Sequence, residues 1–261
     1  EMMPLSVYIN KADGFKDKTT DYFDQPQNGF WFSLAVKDVD GDGNDDLIAG
    51  NLGLNTQIKA SPKEPAELYY ADFDKNGNID PFLNYYIQGV SYPYVSRDEL
   101  NDQIYPMRKK FASYKNYSDA TMKDIVAPDE LAKAGKLTVT ETRSLCLLNK
   151  NGKLVVSPLP MEAQFSVVTK ILTGDFNEDG KPDLLLLGNH CDNRLKLGSI
   201  DASYGCLLKG DGKGGFTYVD QSEAGICIKG DVKSASEIAI NGKNFVAVGV
   251  NNEGISLYKE K

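Results

Sequence analysis

The chain is poor in the residues that carry most enzyme chemistry. Its 261 residues include one histidine, His190, and one tryptophan, Trp31. A Ser-His-Asp or Cys-His arrangement would have to use that single imidazole. It follows Gly188-Asn189 at a strand end, where a structural hydrogen-bonding role is the expected one. The four cysteines, Cys146, Cys191, Cys206 and Cys227, form no CxxC pair and no zinc-like spacing. Cys146 in SLCLLNKNGK and Cys206 in YGCLLKGDGK hold equivalent points of two similar segments, so both are expected in the core, with a disulfide left open for an exported chain. No apolar run approaches ~20 residues, so no membrane-spanning helix is expected. Positive charge is in deficit: 29 Lys and Arg against 37 Asp and Glu give a formal net charge of −8. Nucleic acid and anionic lipid are therefore poor candidate partners. No Rossmann or phosphate-loop glycine pattern occurs. The opening EMMPLSVYIN lacks the basic and long apolar regions of a signal peptide. It begins almost on a strand, which leads us to expect a processed or truncated chain whose parent continues beyond this segment.

Much of the acidic excess lies in three nine-residue segments: DVDGDGNDD at 38–46, DFDKNGNID at 72–80 and DFNEDGKPD at 175–183. Each reads Asp-x-[Asp/Asn]-x-[Asp/Asn]-Gly-x-x-Asp. Calcium takes six to eight hard oxygen ligands, and a glycine at position 6 lets the chain turn sharply around the ion. The candidate ligands are Asp38, Asp40, Asp42 and Asp46; Asp72, Asp74, Asn76 and Asp80; and Asp175, Asn177, Asp179 and Asp183. Asn44, Asn78 and Lys181 offer position-7 backbone carbonyls, so their side chains are free to differ. An EF-hand would carry Glu at position 12, but Ala49, Leu83 and Leu186 stand there. The position-9 aspartates are therefore expected to close the sites. Turn formation alone also favours Asp, Asn and Gly, although it does not require oxygens at four fixed offsets. The 72–80 loop carries fewer carboxylates than the loop at 38–46.

The flanks of the loops are β-like. FWFSLAVK, ELYYA and FSVVTKILTG precede them; DLIAG, DPFLNYY and DLLLLG follow. Each loop thus joins two strands, giving hairpins at 30–51, 67–86 and 165–189. A fourth hairpin at 234–252 replaces the acidic loop by Asn241-Gly242, a type I′ signal. A second kind of unit, strand–short turn–strand, lies at 5–18, 144–156 and 204–219, with its first half at 254–259. The two kinds alternate along most of the chain. Two hairpins per repeat make a four-stranded antiparallel sheet, the blade of a β-propeller. The expected fold is all-β, with about four blade units.

The acidic loop inside a hairpin, followed by an apolar strand and Gly-Asn (Gly50-Asn51, Gly188-Asn189), resembles the FG-GAP/VCBS repeat. Integrin α-subunit propellers carry related calcium loops. NLGLNTQIKASPKEPAELYYADFDKNGNIDPFLNYY, SYPYVSRDEL, MRKKF, LPMEAQFSVV and DASYGCLLKGDGKGGF are similar to large VCBS-repeat proteins of Bacteroidetes. The resemblance implies an exported propeller of the seven-bladed type with calcium-stabilised blades. Residues 1–261 would then be a single propeller domain or part of a larger one. An alternative is that the N-terminal strands complete the last blade.

Residues 87–141 break the rhythm and separate the 67–86 hairpin from its expected partner at 144–156. Ser96 and Glu99 form a capping-box pattern, Pro106 would end the first helical piece, Pro128 suits a first turn, and Gly135 follows the last. A helical insertion is expected there. Arg97, Arg108, Lys109, Lys110 and Lys115 make it basic, and Tyr92, Tyr94, Tyr105, Phe111, Tyr114 and Tyr117 make it aromatic. Tyr92, Tyr94, Arg97 and Arg108 are the candidate ligand surface; the alternative is that these aromatics only pack the insertion onto the blades. The sequence favours a non-enzymatic, calcium-stabilised module that binds a protein or glycan in the periplasm, at the cell surface or after secretion. The competing reading is a carbohydrate-active enzyme, a polysaccharide lyase or glycoside hydrolase, on the same scaffold.

Overall fold

The computed structural model describes residues 2–192 and 198–259. They are mostly β and form several small antiparallel sheets. The described residues of 3–56 and 142–259 make one compact unit, and residues 57–141 make a second.

In the first unit, Ser33–Lys37 and Asp46–Gly50 are joined by the 38–46 loop. Leu145–Lys150 and Lys153–Ser157 extend them to a four-stranded sheet. This corrects the expected pairing. The 144–156 hairpin joins the 30–51 hairpin, with Cys146 opposite Ile48 and Leu147 opposite Leu47, and not the 67–86 hairpin. Loop-closure entropy rises only slowly with length, so a long intervening segment does not prevent the pairing. A second sheet of this unit runs in chain order: Val168–Gly174, Asp183–Gly188, Cys206–Gly210 and Phe216–Tyr218. A third has three strands, Val232–Ile240, Lys243–Val250 and Ile255–Lys259. The Tyr8–Lys11 and Gly14–Asp17 strands pair as a separate ribbon, so they do not complete that third sheet.

These three sheets pack face to face. The Asp183–Gly188 strand is buried along its whole length. Its side chains alternate between faces, as strand geometry dictates. Leu184 and Leu186 pack with Ile48, Cys146 and Val168, while Leu185 and Leu187 pack with Val232, Val246 and Val248. A strand covered on both faces reads as a continuous apolar run, which explains DLLLLG. Each fully buried leucine stabilises the fold by roughly 1.5–3 kcal/mol. Hydroxyls repeat a link between first strands: Ser33 Oγ donates to the Val168 carbonyl at 2.8 Å and Thr169 Oγ1 to the Val232 carbonyl at 2.7 Å.

The Gly-Asn pairs have a structural explanation. A Cβ on Gly188 would lie 1.7 Å from the Val167 carbonyl oxygen, and one on Gly50 would lie 2.4 Å from that of Val168. Only glycine permits so close a backbone approach. Asn189 then accepts from the Ser166 hydroxyl and the Ser203 amide, and donates to the Ser203 and Gly230 carbonyls. Asn51 likewise accepts from the Phe30 and Leu52 amides. All four cysteines are free thiols. Burial pushes Cys146 and Cys206 up to about 12, so these core thiols stay protonated at neutral pH.

The second unit holds its own four-stranded sheet, ordered Gly135–Val139, Ala66–Ala71, Asp80–Ile87 and Val90–Pro93. The expected 87–141 insertion therefore donates a strand at each end to the sheet of the 67–86 hairpin. Between those strands run five short helices: Arg97–Gln103, Met107–Lys110, Tyr114–Tyr117, Met122–Ile125 and Pro128–Leu131. The Ser96–Glu99 capping box forms, and Pro128 lies in the first turn of its helix. Gly135 instead opens a strand, beneath the ring of Tyr70. Leu100, Ile104, Phe111, Met122, Ile125 and Val126 bury Phe82, so the helices make a core with one sheet face.

Gly188→Ala is expected to destabilise the protein by roughly 1–3 kcal/mol through overpacking against backbone. Gly254→Ala, where an added Cβ meets nothing within 4 Å, should leave the urea midpoint nearly unchanged. Equal midpoints for the two variants would refute the close-approach account.

Candidate metal loops and ligand surface

All three acidic loops fold by one hydrogen-bond pattern. The position-1 carboxylate accepts the position-6 glycine amide: Gly43 to Asp38 at 3.0 Å, Gly77 to Asp72 at 2.9 Å, Gly180 to Asp175 at 2.7 Å. Position 3 accepts from the position-5 amide, from Asp42, Asn76 and Asp179 to Asp40, Asp74 and Asn177. Position 5 accepts from the position-7 amide, from Asn44, Asn78 and Lys181 to Asp42, Asn76 and Asp179. These are Asx turns in series. The position-6 glycines have φ of +86°, +91° and +82°, the left-handed region that glycine enters at least cost.

Position 9 also ties each loop to the fold. Asp46, Asp80 and Asp183 are buried. One oxygen of each accepts the amide of loop position 2, from Val39, Phe73 and Phe176. The other takes the Asn149 amide for Asp46 and the Gly210 amide for Asp183, both on the next strand of the sheet. For Asp80 it takes the Gln103 side chain. Burial pushes the Asp46 and Asp183 carboxyls up, and these amide donors work in the opposite direction. Position 9 thus serves first as a tie inside the fold.

The remaining oxygens converge unequally. Asp38, Asp40 and Asp42 each place a carboxylate oxygen within 4.8 Å of the others, as do Asp72, Asp74 and Asp80. The 175–183 loop has Asn177 where the others have Asp40 and Asp74. Two lysines that sequence reasoning missed reach these loops. Lys150 pairs with Asp40 and, at 3.4 Å, with Asp42. Lys209 pairs with Asp179 at 2.9 Å. They flank the residues that tie position 9, Asn149 and Gly210. Their signal in the sequence was a lysine near the same point of both LLNK and LLKG.

The expected ligand surface divides into two. Tyr92 faces Tyr85 across strands, and Tyr94 packs edge-on to Tyr85 at 5.4 Å. Arg97 is anchored to the Phe111 and Ala112 carbonyls at 2.7 and 2.9 Å, and Arg108 to the Asn101 carbonyl at 3.0 Å. Phe111 and Tyr117 pack edge-to-face at 5.2 Å, and burial pushes the Tyr117 hydroxyl up to about 12; these two aromatics belong to the core. Tyr105 and Tyr114 are 70% and 65% exposed.

His190 bridges to Ile200 through its backbone, and its Nδ1 lies 3.9 Å from Oδ2 of the buried Asp231. The Cys191 amide also donates to Asp231. Burial first, and Asp231 next, push the Cys191 thiol up to about 12, which disfavours a nucleophilic thiolate. A cleft of about 630 Å3 opens beside the 175–183 loop, floored by Leu185, Leu207 and Val246. No helix is long and apolar enough to cross a membrane among the described residues. No protein-family model and no curated protein matches the chain.

Asp183→Ala strands two amides in the interior and should cost roughly 2–4 kcal/mol. Asp179→Ala breaks a half-exposed pair with Lys209 and leaves the exposed Lys181 amide to water, and should cost less than about 1 kcal/mol in metal-free buffer. Urea denaturation of both variants checks this, and similar losses would remove the distinction between tie and ligand positions.

Proposed function

We propose that the chain is a calcium-stapled β-propeller module of the FG-GAP/VCBS type, working outside the cytoplasm as a non-enzymatic binding scaffold. The observation that carries the reading is the single hydrogen-bond pattern recurring in three loops of one consensus. The donor chemistry suits calcium, since carboxylate and amide oxygens are hard ligands. The sets that fit best are Asp38, Asp40 and Asp42, with the Asn44 carbonyl, and Asp72, Asp74 and Asp80, with Asn76 and the Asn78 carbonyl. Asp175, Asn177, Asp179 and the Lys181 carbonyl make a weaker set. At the first and third loops the ion would have to displace Lys150 and Lys209. Exposed loops of this kind suit the 10⁻⁴–10⁻³ M range of extracellular calcium modules, as an order of magnitude. The propeller reading is supported by face-to-face sheets, two of them made of two hairpins and a third of three strands, with hydroxyl links from Ser33 and Thr169 between their first strands. The ligand is a protein or glycan.

Calcium at about 100 times its dissociation constant should add about 2.7 kcal/mol per site, a rise in Tm of roughly 5–10 °C. Chelator should reverse the rise, and Lys150→Ala should enhance it. An identical melt with calcium and with chelator overturns the metal assignment. Product release in a polysaccharide digestion screen overturns the non-enzymatic one.

A further inference from the structure

The helix Arg97–Gln103 carries two similar side-chain assemblies on its surface. At its start, Arg97 pairs with Asp98 at 2.7 Å, its guanidinium carbon lies 5.2 Å from the centre of the Tyr114 ring, and the Tyr114 hydroxyl donates to Asp98. At its end, Arg108 pairs with Asp102 at 2.7 Å and lies 4.9 Å from the centre of the Tyr105 ring. Asp98 and Asp102 are four residues apart, so they share one helix face, about 6 Å apart along the axis. Both guanidinium groups are anchored to backbone carbonyls. Each tyrosine therefore has an anchored cation against its ring, while most of its surface meets solvent at 65–70% exposure.

That arrangement has the properties of a binding surface more than of packing. The aromatic rings are preorganised, so little rotamer entropy is lost on contact. Tyrosine and arginine are the side chains that most often dominate binding energy. The local charge is the reverse of the chain's. From Arg97 to Tyr117 there are five cations, Arg97, Arg108, Lys109, Lys110 and Lys115, against three anions, Asp98, Glu99 and Asp102, which leaves +2 in a chain of −8. Lys109 and Lys115 are exposed. An exposed tyrosine ring accepts the CH face of a pyranose sugar, the carboxylates accept hydroxyl hydrogens, and the flanking cations favour an acidic sugar. A nucleic acid would share the stacking and the charge, so its binding is the competing outcome of the test.

We propose that Tyr105 and Tyr114, with the basic residues beside them, form a binding platform for an acidic, uronate-bearing glycan. This rests on reading the chain as a binding module. It does not depend on calcium, so the two proposals fail separately.

The test is calorimetric titration of the full chain with an oligogalacturonate and, as a neutral control, a cello-oligosaccharide, each with calcium and with chelator. Binding of the oligogalacturonate is expected, with the neutral sugar weaker. Tyr105→Ala and Tyr114→Ala should each weaken it by about tenfold or more, and Lys109→Ala with Lys115→Ala should flatten its salt dependence. Tyr114→Phe, which keeps the ring and loses only the hydroxyl bond to Asp98, should bind within a few-fold of the parent. Circular dichroism checks the fold, and the highly exposed Tyr105 provides a variant that leaves it intact. Absence of oligogalacturonate binding, equal binding of the neutral sugar, or unchanged affinity in the Tyr105→Ala variant each overturns the proposal. Tight binding of single-stranded nucleic acid or of a peptide at this surface, in place of the glycan, also overturns it.

Discussion

A buried carboxylate at the end of each acidic loop holds the rest of the structure together. In Asp46 and Asp183 one oxygen closes the loop on itself and the other catches the amide of the neighbouring strand. The same side chain therefore shapes the hairpin and secures the next hairpin against it. Burying an anion is costly unless strong donors surround it, and amide bonds to a charged acceptor are worth roughly 1.5–3 kcal/mol each. Asp80 follows the same rule in the second compact unit, but there the partner is Gln103 from a helix. One motif thus fastens either a strand or a helix, depending on which element follows.

Around these ties the first unit is built by repetition. Its sheets meet face to face, so an interior strand such as Asp183–Gly188 loses the usual apolar–polar alternation. Close packing also explains why Gly50 and Gly188 precede Asn51 and Asn189. The glycine lets two backbones approach, and the asparagine side chain satisfies the amides and carbonyls left over at the crossing. A buried polar group left without such a partner costs about 1–3 kcal/mol. The Gly-Asn pairs are therefore structural.

Several features were legible because they are local. The acidic hairpins, the turn at Asn241-Gly242, the Ser96 capping box and the helical start at Pro128 all depend on residues within a few positions of one another. The core positions of Cys146 and Cys206 could be read from repeated context. Other features depend on residues far apart. The attachment of 144–156 to 30–51, across a second compact unit, is decided by how apolar faces fit and by the Asp46–Asn149 bond. The reach of Lys150 into Asp40 and Asp42 follows from that same register. The approach of His190 to Asp231 brings together residues some forty positions apart.

The sequence by itself determined the β character, the hairpin units, the loop consensus and the helices between Arg97 and Leu131, because each is written in periodicity, turn chemistry or capping over short distances. Tertiary structure decided which hairpins share a sheet and which aspartate is buried as a tie. It also decided which aromatics of the helical segment stay in solvent. Asp46 and Asp42 are equivalent by composition. They differ only because the neighbouring strand presents an amide to one and a lysine to both Asp40 and Asp42. Phe111 and Tyr117 likewise face the core while Tyr105 and Tyr114 do not. The reason is physical: burial, hydrogen-bond supply and local charge are set by what packs opposite a residue, and sequence spacing does not encode that neighbour.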